Sequence, residues 1–61
     1  MVIKAIFTGV NSLGYIKKQE YLLNVGSDFL CISRIDGSGK CVYHSLKAFF
    51  SNWDNVKVVN N

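Results

Sequence analysis

The chain has 61 residues, which permits one domain and a small core, since a chain of this size buries only about 60% of the surface its unfolded form exposes. Hydrophobic residues make up 49% of it, aromatics 13%, and there is no proline, which argues for a folded unit and against disorder. The net charge of +3 is mild, and Lys4, Lys17, Lys18, Arg34, Lys40, Lys47 and Lys57 are spread along the chain, so no basic tract forms a nucleic-acid arm.

The first segment, VIKAIFTG, alternates well enough to predict a strand that Gly9 ends. The apolar run from Met1 to Val10 is too short to span a membrane, is interrupted by Lys4 and lacks a small-residue cleavage site, so no secretion signal is expected and the protein is predicted to be cytoplasmic. After the loop VNSLG, residues Tyr21, Leu23 and Val25 recur with the period of two that places them on one sheet face, opposite Lys18, Glu20 and Asn24. Gly26, Ser27 and Asp28 mark a turn into a third strand, FLCISRI, and DGSG joins that to a fourth, KCVY.

If Asp36 faces Gly39 across a two-residue turn, then Arg34 lies opposite Cys41, Ile32 opposite Tyr43 and Cys31 opposite His44. Cys31 and Cys41 then point to opposite faces of the ribbon, and two reduced thiols are expected rather than a disulfide.

Beyond Tyr43 the period changes. Leu46, Phe49, Phe50 and Trp53 fall at helical spacing, with Ser45 placed to cap the first turn and Asp54-Asn55 to end the last, so a short helix over 45–53 is predicted to pack all four apolar side chains. NVKVV closes the chain as a fifth strand. The predicted class is mainly β, five strands with one short helix before the last.

The segments KAIFTG at 4–9, KKQEYLLNV at 17–25 and DGSGKCVY at 36–43 resemble short SH3-like small β-barrel proteins common in bacterial and bacteriophage genomes. The resemblance implies a single five-stranded barrel domain over 1–61, and departs from the pattern where the longer helix stands in place of a single turn. Its motifs are turn and core residues, so they imply a fold and no activity.

Each reactive cluster has a plainer explanation. GSGK at 37–40 has the wrong spacing for a phosphate loop, Cys41 follows where a hydroxyl residue is needed, and a strand follows instead of a helix, so a hairpin turn is expected. Cys31, Cys41 and His44 offer at most two converging zinc ligands and no orienting third group for a thiol nucleophile, so neither a metal nor a catalytic site is predicted. Asp28, Asp36 and Asp54 all sit at predicted turns, which leaves Glu20 without a carboxylate partner for acid–base work.

What remains is a surface of mixed aromatics and cations: Tyr15, Lys17, Lys18, Arg34, Lys40, His44, Lys47 and Trp53 are the candidate binding residues. Trp53, Tyr15 and Arg34 are of the types that anchor protein interfaces. The first reading is therefore a non-enzymatic binding module without cofactor, in the manner of a bacteriophage accessory protein that binds and blocks a host protein in the host cytoplasm. Two others stay open: a nucleic-acid binder using the same cations with exposed aromatic rings, or a protein that captures a small anionic nucleotide at a homodimer interface. A second copy would also help a core this small, so a homodimer is an open expectation.

Overall fold

The computed structural model describes residues 1–59. Five antiparallel strands form one sheet: β1 (Val2–Phe7), β2 (Glu20–Val25), β3 (Cys31–Arg34), β4 (Cys41–Val42) and β5 (Trp53–Val58), in the spatial order β4-β3-β2-β1-β5. A helix, α1 (Leu46–Asn52), precedes the last strand. The mainly β class with one short helix is as predicted. Barrel closure is not seen, because β4 and β5 are the two ends of the sheet and do not pair with each other.

Alternation decides which face is inward. Ile3, Ala5 and Phe7 of β1, Leu23 and Val25 of β2 and Ile32 of β3 are all buried on one side. The partners of β1 follow: Ile3 lies across from Leu23, and Phe7 across from Trp53. Tyr15, from the loop between β1 and β2, and Phe49, from α1, close over this face and complete the core. Lys4, Leu22 and Lys57 share one cross-strand row on the outer face.

The predicted turn of the β3–β4 hairpin needs correction. Cys31 faces Val42 and Ile32 faces Cys41, so the pairing slips by two residues from the expected register and Cys31 does not face His44. The turn closes Arg34 against Ser38, a slip of three, and an extra residue next to Gly39 (φ 67°) brings the net slip in the strands to two. The Gly37 amide donates to Arg34 O at 2.9 Å and the Arg34 amide to Ser38 O at 2.8 Å, while Gly37 takes φ +89°, the arrangement of a tight turn followed by a glycine bulge. Asp36 favours that choice, accepting from the Ser38 amide at 2.9 Å and from its hydroxyl at 2.6 Å. A slip of two leaves the faces unchanged, and both thiols are free, as expected.

The helix is shorter than predicted and ends sooner. Ser45 caps it, its hydroxyl accepting from the Ala48 amide at 3.1 Å. Asn52 closes the other end by donating to Ala48 O at 2.8 Å, and Trp53 already has extended backbone (φ −136°, ψ 132°) as the first residue of β5. Asn55, expected to end the helix, instead carries a bulge: with φ 55° it sits where the β1–β5 register shifts between Lys4 and Ile6.

Candidate functional site

Tyr15, Arg34 and Trp53 come together, but inward. Ser12 and Tyr15 exchange backbone hydrogen bonds of 3.2 and 2.8 Å around Leu13 (φ 53°) and Gly14 (φ 84°), a turn with both central residues left-handed that drives the Tyr15 side chain into the core. The Tyr15 ring lies 5.6 Å from Phe7, 5.2 Å from Tyr21 and 5.2 Å from Trp53, and is only 2% exposed. Its hydroxyl donates to Gly39 O at 2.8 Å. Burial raises its pKa above the ordinary 10.0, with the Arg34 charge pulling the other way.

Arg34 acts as a clamp. Its guanidinium lies 4.6 Å from the Tyr15 ring centroid, Nη2 donates to Leu13 O at 2.9 Å, and Nε donates to Ser38 Oγ at 2.8 Å. The group thereby ties the β1–β2 loop to the β3–β4 hairpin, leaving a buried Nη1 with no partner. Asp36 completes the chain of contacts, and the hydrogen bonds from Ser38 hold its carboxyl below the ordinary 3.8. Trp53, 1% exposed, donates from Nε1 to the Tyr43 hydroxyl at 2.9 Å. Burial pushes the Tyr43 phenol up to about 12.

Neither Tyr15 nor Trp53 therefore presents a ring face to solvent, which is what base stacking or an interface anchor requires. The other expected contact residues, Lys17, Lys18, Lys40, His44 and Lys47, are all exposed. They lie on separate segments: Lys17 and Lys18 in the β1–β2 loop, Lys40 just before β4, His44 just before the cap and Lys47 on the helix.

Cys31 is exposed and Cys41 half-buried against the core. Among the described residues no three His, Cys, Asp or Glu side chains gather to hold a metal. No helix there is long and apolar enough to cross a membrane.

The surface feature that the sequence pattern missed is on α1. Of the four residues expected to pack, Phe49 and Trp53 are buried, but Leu46 is 50% exposed and Phe50 56% exposed. Phe49 and Phe50 are consecutive, about 100° apart around a helix, so only one can point at the core of a small protein. Leu46 and Phe50 are four residues apart and Lys47 and Phe50 three, so the three side chains adjoin on one helix surface. Phe49 anchors them from below, its ring 5.0 Å from Phe50, 5.8 Å from Phe29 and 5.8 Å from Tyr43. Phe29 is held at φ 62°, a conformation costing a non-glycine residue roughly 1–2 kcal/mol, in the turn where the Asp28 carboxylate accepts from the Leu30 amide.

No protein-family model matches the chain, and no curated protein or solved structure matches it at a significant level. Over the described residues it is a small, mainly β protein with a single antiparallel sheet and one helix.

Proposed function

We propose that this protein is a non-enzymatic binding module of the SH3-like kind, a bacteriophage-type accessory protein that binds and inhibits a host protein. The SH3-like arrangement is supported by a sheet order that puts β1 between β2 and β5, and by a helix just before the final strand. The accessory role is supported by the chain's small size and the sequence resemblance.

The observation that carries the binding reading is the pair of large apolar side chains left uncovered on α1. Burying a leucine or phenylalanine is worth about 1.5–3 kcal/mol each, and Leu46 and Phe50 realise only part of that in the protein alone. A partner covering them recovers the remainder, and aromatic residues beside a packed support are the usual centre of such contacts. A standard interface covers about 800 Å² per partner, roughly a fifth of the 4022 Å² surface here. The nucleic-acid alternative has less behind it, because two of its expected aromatic groups, Tyr15 and Trp53, are core residues.

The test is retention of bacterial proteins by the immobilised wild type and by the Leu46→Ser, Phe50→Ser double variant. A protein held by the wild type and lost from the variant, whose melting temperature stays within a few degrees, is the expected result. An identical retained set for both would refute this surface.

A further inference from the structure

We infer that the face formed by Leu46, Lys47 and Phe50, together with Phe29, takes an acidic protein segment carrying apolar anchors. The inference rests on the binding reading above and specifies the partner's chemistry.

From Gly37 to Trp53 the chain contains Lys40, His44 and Lys47 and not one Asp or Glu. The neighbouring carboxylates, which keep their charge, lie off the helix: Asp28 accepts from the Leu30 amide, Asp36 accepts from Ser38, and Asp54 pairs across from Ile6 in the sheet. Lys47 thus stands beside exposed apolar surface with no carboxylate on its own helix, and an incoming one can pair with it at the rim of the contact.

Apolar chemistry alone would accept any greasy segment. Lys47 gives preference to a segment with Asp or Glu flanking leucine or phenylalanine, and disfavours a basic one. Exposed Phe50 and half-buried Phe29, each in contact with Phe49, supply the apolar seat.

The experiment follows backbone amide shifts of the wild-type protein by NMR while three synthetic peptides are added. All carry the same leucine and phenylalanine anchors, set among glutamates, glutamines or lysines. The expected result is shifts centred on residues 44–51, the glutamate peptide binding about fivefold tighter than the glutamine peptide, and the lysine peptide weakest. Raising the salt from about 50 to about 300 mM should remove most of that preference, and Lys47→Glu should reverse it, so that the lysine peptide then binds tighter than the glutamate peptide.

Equal affinity for the glutamate and glutamine peptides would overturn the acidic preference and leave the binding surface standing. Absence of shifts at 44–51 with every peptide, joined to unchanged lysate retention in the serine double variant, would remove both. Single-stranded DNA or phosphatidylglycerol vesicles are added as separate arms. Stronger shifts at 44–51 with either than with the glutamate peptide would overturn the protein segment in favour of a nucleic acid or a lipid surface.

Discussion

Replacing Arg34 with methionine separates a clamp from a contact residue. The change keeps an apolar stem over Tyr15 but removes the hydrogen bonds to Leu13 O and Ser38 Oγ and the cation above the ring. Hydrogen bonds from a charged donor are worth about 1.5–3 kcal/mol each, and half-exposure puts both at the low end. The cation–ring contact adds about 0.5–1 kcal/mol. Against this, methionine relieves the buried, unpartnered Nη1, a gain of about 1–3 kcal/mol. The net loss is about 2 kcal/mol, or about 8–16 °C in melting temperature for a domain this small.

Thermal unfolding followed by circular dichroism measures the loss, and hydrogen exchange at Ser12 and Tyr15 should speed up as the loop loosens. Arg34→Lys should fall between wild type and methionine, because an ammonium cannot reproduce the planar fork. A methionine variant within about 0.5 kcal/mol of wild type would refute the clamp. So would a methionine variant that folds normally but loses its partner, since that is the behaviour of a contact residue.

Four further outcomes follow from the same geometry. Because the Tyr43 pKa is raised to about 12, the phenol's contribution is intact below its ordinary 10.0 and is lost as pH climbs from there through 12; urea melts across that range should lose stability faster in wild type than in Tyr43→Phe. The same variant should cost about 1–3 kcal/mol at neutral pH, because the buried Trp53 Nε1 loses its acceptor. Asp36, with its pKa held below 3.8 by Ser38, contributes above that value and loses its contribution as pH falls through its own lowered midpoint; an NMR titration should place that midpoint below 3.8 and Ser38→Ala should raise it. Gly37→Ala should cost about 1 kcal/mol from backbone conformation alone, since a Cβ there meets nothing within 4 Å; a variant as stable as wild type would contradict the left-handed bulge.

Period-two alternation made β1 and β2 legible, because sheet burial acts on every second residue: Ile3, Ala5, Phe7 and Leu23, Val25 face inward as read. The hairpin register was not legible from glycine positions alone. DGSG allows closure at two places, and the Asp36–Ser38 contact with the Gly37 bulge selects the one that glycine counting passes over. Trp53 suits the inward face of a helix and of a strand alike, so its burial could be read correctly while its element was not.

Tyr15 carries no periodic signal, since it lies in a loop whose turn needs left-handed backbone at Leu13 as well as Gly14. The exposed helix face was within reach: consecutive Phe49 and Phe50 cannot both enter a small core, and the one left out marks the surface.

Hydrogen–deuterium exchange of the protein, alone and bound to the partner it captures, tests the helix face most directly. Slowed exchange across Leu46–Asn52 and at Phe29, with residues 11–19 unchanged, is the predicted footprint. Slowing centred on Lys17 and Lys18 while the helix exchanges as before would contradict it.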